Sequence, residues 1–158
     1  MTKVMATVKK EIKQEQAFES RQQEAIVALL LTTDQLKGRL SELAARFGIT
    51  PQQYNVLRIL RGAGEEGLPT LEVMDRMIER NPGITRLLDR LEAKSLIRRE
   101  RSAGDRRRQI CRITPEGNRI LAEMDHPMRK LTQDVMNRLS DKEVDRLLEL
   151  LFLVRSGM

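Results

Sequence analysis

Residues 83–117 read GITRLLDRLEAKSLIRRERSAGDRRRQICRITPEG, and this stretch decides the fold. Ile84, Leu87, Leu88 and Leu91 recur at steps of three and four, the spacing of a single buried face on an α-helix. At 100° per residue Arg86 points away from that face, with Thr85 and Arg90 on its flanks. The periodicity then breaks. Leu96 to Arg101 and Gln109 to Thr114 are short and contain β-branched residues. Between them Ser102-Ala103-Gly104-Asp105 is turn-rich and is followed by Arg106, Arg107 and Arg108. This pattern predicts a two-stranded hairpin with a basic tip. Thr114-Pro115-Glu116-Gly117 closes the stretch with a cap residue and a proline at the first helical position, so a further helix begins there.

Working upstream, Asn81-Pro82 opens the arginine-bearing helix, and Thr70 is expected to cap a short helix carrying Leu71, Met74 and Met77. Thr50-Pro51 opens another, with Tyr54, Leu57 and Leu60 on one face. Ser20-Arg21-Gln22-Gln23 has the form of a capping box for a long helix stopped by Gly48. Before it, Val4, Val8 and Ile12 form a thinner stripe, an extra helix or a frayed arm. Downstream, apolar positions from Ile120 to Leu139 mark a long helix, expected to bend at Pro127. Ser140-Asp141-Lys142-Glu143 is a second capping box, for Val144, Leu147, Leu148, Leu151 and Val154. The expected fold class is mainly α with a small β-hairpin wing. A short helix pair followed by a hairpin is a winged helix-turn-helix, here over residues 49–114. It lies between an N-terminal helical region, 1–48, and C-terminal helices, 115–158, in one compact chain whose parts do not fold independently. The terminal helices are apolar on more than one face, with Leu150, Leu151, Phe152 and Leu153 consecutive, which is too much for one small core.

The charge is concentrated in the same region. The chain has 158 residues, 29 basic and 23 acidic side chains, and a formal net charge of +6. Residues 76–112 hold twelve of the bases against five acids, a net +7, and the rest of the chain sums to −1. Eleven of those twelve are arginine, whose planar fork suits phosphates and guanine edges better than an ammonium does. Double-stranded DNA is therefore the expected partner. Thr85, Arg86 and Arg90 are candidates for the major groove, and the amides from Pro82 to Thr85, beside Asn81, for a phosphate. Arg106, Arg107 and Arg108 are candidates for the minor groove, with Asp105 bracing the turn as wing support. The competing reading is that Arg86 and Arg90 only pair with Asp89 or Glu92 on a solvated helix.

Other classes are set aside by what the chain lacks. One cysteine precludes an internal disulfide framework, and one histidine leaves little for a metal cluster. There is no nucleophile–histidine pair and no glycine-rich phosphate loop, so neither an enzyme nor a bound cofactor is expected. No run approaches the length of a membrane span, and MTKVMATVKKEIKQ has no apolar signal-peptide core, so a cytoplasmic location is expected.

ITPQQYNVLRIL at 49–60 and the stretch quoted above resemble the MarR family of bacterial transcription regulators. The likeness rests on T-R-L-x-D-R-L-E at Thr85–Glu92, D-x-R at Asp105–Arg107 and T-x-E-G at Thr114–Gly117, in order and spacing. It implies an obligate homodimer in which the first long helix and the last two interlock, with one winged helix-turn-helix per protomer on a palindromic site. It also implies that Thr85, Arg86 and Arg90 face the major groove, and that Arg107 is the wing-tip arginine with Asp105 supporting it. Family members that sense peroxides carry a reactive cysteine near the start of the first long helix. This chain has none there, and Cys111 is expected to face the core. His126 stands alone beside Pro127, so a structural role is expected for it rather than metal binding. Many members release DNA on binding a small aromatic or anionic effector, for which Tyr54, Arg46 and the surroundings of Thr33 are candidates. The function expected is a dimeric, sequence-specific, ligand-responsive repressor. The alternative is a non-specific architectural or polyanion-binding winged-helix protein, which accounts equally well for the charge but not for a dedicated recognition face.

Overall fold

The computed structural model describes residues 7–79, 83–101 and 108–158. The chain divides into two compact units, Met1–Pro51 and Gln52–Met158. The first holds a short helix α1 (Thr7–Glu11) and a long helix α2 (Arg21–Ala45). Ser20 caps α2 as its sequence predicts. Its hydroxyl accepts from the Gln23 amide at 3.1 Å, while the Gln23 side chain reaches back to the Glu19 amide at 2.7 Å. The helix ends at Ala45 and a turn carries the chain to Gly48, whose φ of 69° is the left-handed conformation that glycine adopts without strain.

The second unit contains α3 (Pro51–Ala63, whose first residue closes the first unit), a 3₁₀ turn (Gly64–Glu66), β1 (Leu68–Pro69), α4 (Thr70–Arg76) and α5 (Ile84–Ala93). It continues with β2 (Ile97–Arg101), β3 (Gln109–Ile113), α6 (Pro115–Met136) and α7 (Asp141–Ser156). The fold is mainly helical, with a small antiparallel wing sheet. That sheet has three strands in the order β1-β3-β2, one more than the hairpin expected. β2 and β3 pair from Ile97–Ile113 to Arg101–Gln109, and β1 adds Leu68–Cys111 and Pro69–Ile110. An edge strand of two residues tolerates a proline because it need not donate outward. Gly67 makes the approach possible, since a Cβ there would sit 2.3 Å from the Cys111 carbonyl oxygen.

The core of this unit is continuous. Val56, Leu57 and Leu60 of α3, Val73 of α4, Leu88 and Leu91 of α5, Ile97, Cys111, and Leu121 and Met124 of α6 are all essentially inaccessible to solvent. Two capping expectations have different outcomes. Thr114 caps α6 by accepting from the Gly117 amide at 3.1 Å, and its own hydroxyl donates to the Ser95 carbonyl at 2.7 Å. Thr70 does not cap α4. It is the first helical residue, after Pro69, and its hydroxyl lies 3.7 Å from the Cys111 sulfur. α6 runs through Pro127 as one unbroken helix.

Candidate nucleic-acid interface

α5 is placed by its apolar stripe and by a tight ending. Ile84, Leu87, Leu88 and Leu91 are all buried, so Thr85, Arg86, Asp89 and Arg90 are left on the outside. The described helix begins at Ile84 with Gly83 as its cap residue, later than the Asn81-Pro82 start expected. Asn81 and Pro82 lie outside the described residues, as do Asp105, Arg106 and Arg107 of the wing tip. At the other end the Leu96 amide bonds the Leu91 carbonyl at 3.0 Å and the Ser95 amide bonds that of Glu92 at 2.8 Å. This closing motif puts Ser95 at φ 58°, a conformation strained for any residue with a Cβ. Ahead of α5, the turn after α4 is tied to α3. The Ile78 amide donates to Asn55 Oδ1 at 3.1 Å, and Gln52 donates to Glu79 at 3.1 Å.

The carboxylates of α5 are engaged by Arg99 of β2. Its Nε donates to Glu92 Oε2 at 2.9 Å, and Nη2 reaches both Glu92 Oε2 and Asp89 Oδ1 at 2.6 Å. The Arg99 backbone amide donates to Glu92 Oε1 at 3.0 Å. Arg99 shares a strand face with buried Ile97, so a guanidinium stands where strand alternation would put an apolar side chain, with only 13% of it exposed. The pairing moves both titrations. The Arg99 hydrogen bond holds the Glu92 carboxyl below its ordinary value, and Glu92 raises Arg99.

Arg86 and Arg90 therefore do not pair with Asp89 or Glu92. Both are exposed, and neither makes an ion pair among the described residues. Thr85 is exposed beside them. Arg108 is exposed on the approach to β3, beside the first turn of α4. The other wing arginines divide by role. Arg112 is a scaffold residue, bonded to Glu100 at 2.8 Å and to the Glu65 carbonyl at 2.7 Å. Arg98 shares Glu100 at 3.2 Å. Arg101, at the end of β2, is exposed without an ion pair among the described residues and joins the candidates that sequence reasoning missed. Its signal was available, since the strand end next to the tip is where a side chain escapes the sheet.

The remaining candidates belong to other elements. Arg61 of α3 grips Asp125 of α6 with two 3.0 Å bonds, which hold the Asp125 carboxyl below its usual range. Arg58 lies 5.9 Å over the ring of Tyr54. Cys111 is fully buried and burial pushes its thiol upward, so it is poorly suited to redox chemistry. His126 is exposed, and among the described residues no three His, Cys, Asp or Glu side chains gather as a metal-ligand set. Thr33 and Arg46 are exposed in the first unit. No described helix is long and apolar enough to cross a membrane.

The geometry finds its counterpart in known proteins. The model of the MarR family matches residues 47–108. The crystal structure of a MarR transcription factor from Planctomyces limnophilus is 35% identical, covers 87% of this chain and is itself 99% covered, with a TM-score of 0.67. The chain belongs to the MarR family. MarR-family members are transcriptional regulators rather than enzymes. A Thauera aromatica protein assigned to transcriptional regulation of the hcr operon is 35% identical over 104 residues. Those residues are 66% of this chain but only 61% of that relative's length. The Streptomyces coelicolor MarR-family regulator Sco3205, solved in complex with DNA, is 22% identical, with 91% of this chain and 92% of that one covered and a TM-score of 0.79. At that identity the likeness is one of fold.

Proposed function

We propose that this MarR-family chain is a sequence-specific DNA-binding repressor that works as a homodimer on a palindromic promoter site in the cytoplasm. The observation that carries the reading is the outer face of α5, where Arg86 and Arg90 stand exposed without carboxylate partners among the described residues although two carboxylates lie on the same helix. A guanidinium held out on a short, rigidly seated helix suits bidentate contact with a guanine edge, and Thr85 adds a hydroxyl beside it. Sco3205 was solved with DNA on the same fold, which supports the docking mode. Dimerisation is supported by α7, which buries no residue within the chain and exposes Leu148, Leu150, Phe152, Leu153 and Val154. Two such lobes related by a two-fold axis would read two half-sites and exclude polymerase by occupancy. Release by a small aromatic or anionic effector belongs to the same reading. Tyr54 with Arg58 over its ring is what α3 offers such a molecule.

Competition binding separates this from a non-specific polyanion binder. At physiological salt the chain is expected to hold its preferred duplex against bulk DNA by a factor of roughly a thousand or more. Equal displacement by any duplex would contradict a specific regulator.

A further inference from the structure

We infer that Arg99 is a positioning residue for DNA reading: by occupying Asp89 and Glu92 it keeps Arg86 and Arg90 unpaired and fixes α5 against the wing. The inference rests on the DNA-binding reading above and goes beyond it, because Arg99 itself is largely covered and is not assigned a contact with DNA.

Arg86 and Asp89 are three residues apart on α5, and both are exposed. On an isolated helix such a pair attracts by at most about 0.2–0.5 kcal/mol. Here Asp89 instead meets Arg99 Nη2 at 2.6 Å. Glu92 is held more firmly, since it accepts from the Arg99 guanidinium and from the Arg99 backbone amide, which belongs to the β2 ladder. One residue thus binds two successive turns of α5 to the central pair of the wing sheet. Its removal would have two separable consequences. The junction between α5 and β2 would keep the backbone amide bond to Glu92 but lose the guanidinium bonds to Glu92 and Asp89, and Asp89 would become available to Arg86 while adding an uncompensated negative charge to the face that meets DNA.

The two consequences are told apart by a second substitution. The full-length chain is titrated with a duplex selected from random DNA by the parent, over a range of salt, for the parent, Asp89→Asn, Arg99→Met and Arg99→Met/Asp89→Asn. Arg99→Met is expected to bind about tenfold more weakly, with a salt slope lower by about the contribution of one phosphate contact. Adding Asp89→Asn is expected to restore the slope and bring affinity to within about threefold of the parent. Asp89→Asn alone is expected to bind at least as well as the parent. Should Arg99→Met fail to fold, Arg99→Gln, which stays polar but carries no charge, takes its place with the same expected rescue. A double variant as weak as the single one, with the slope unrestored, overturns the proposal and leaves Arg99 a merely structural tie. An Arg99 variant equal to the parent overturns it too while leaving the DNA-binding reading intact. A parent that binds no duplex at all overturns both.

Discussion

α5 and α7 are both amphipathic helices of one unit, but they use their apolar residues in opposite ways. α5 has ten residues and buries all four members of its stripe. α7 has sixteen and buries none, although Val144, Leu147 and Leu151 are half-covered and a second set stands exposed beside them. The apolar stripe of α5 is packed away within the unit, whereas that of α7 stays largely open to solvent. On the dimeric reading proposed above, one helix serves stability and the other assembly, and each can be attacked separately.

The largest effect is expected inside the lobe. Leu88 is fully buried, so Leu88→Ala should lower unfolding stability by about 2–5 kcal/mol in denaturant titrations at fixed protein concentration. A loss below about 1 kcal/mol would mean that α5 is not the core element described here. On α7, Leu153→Asp should leave helix content intact by circular dichroism. It should also convert the proposed dimer to a monomer in sedimentation and weaken DNA binding on the order of a hundredfold, as bivalency is lost. An unchanged sedimentation coefficient would remove α7 from the interface. On the recognition face, Arg86→Ala should reduce discrimination between the preferred site and single-base variants by about 1–3 kcal/mol. Arg107→Ala should instead weaken binding to all sequences alike and reduce the salt slope by about one. Similar behaviour of the two variants would erase the division between base reading and backbone contact.

The acid limb sharpens the contrast further. Glu92 titrates below its ordinary value in the folded chain because of Arg99. Its stabilisation is therefore complete above the ordinary glutamate range and is lost as pH falls through the lowered value. Glu92→Gln should flatten the fall in stability below about pH 4.5. The smallest effect concerns the turn after α5. Ser95→Gly should stabilise the chain by about 0.5–1 kcal/mol, because glycine accepts φ 58° without strain.

Much of this was legible in the residues. The stripe of α5, the Ser20 and Thr114 caps, the Gly48 stop and the two main wing strands follow from local pattern and local chemistry. What escaped depends on contacts between distant segments. β1 is two residues long and contains a proline, so it has no periodicity to detect and exists only because β3 pairs with it. Thr70 looks like a cap until Pro69 takes the position before it. Arg99 read as one more member of a basic cluster. Its partners are seven and ten residues away and meet it only when β2 folds back beside α5. The net charge of the region counts scaffold arginines such as Arg99 and Arg112 together with exposed ones such as Arg86, Arg90 and Arg101.

The central claim is a two-fold regulator that reads DNA with α5, and selection of bound duplexes from a random pool by the full-length chain tests it most directly. The account predicts an enriched inverted repeat whose half-sites lie about one helical turn, roughly 10–11 base pairs, apart centre to centre. Recovery of no shared motif, or of an unsymmetrical motif with a single half-site, would contradict it.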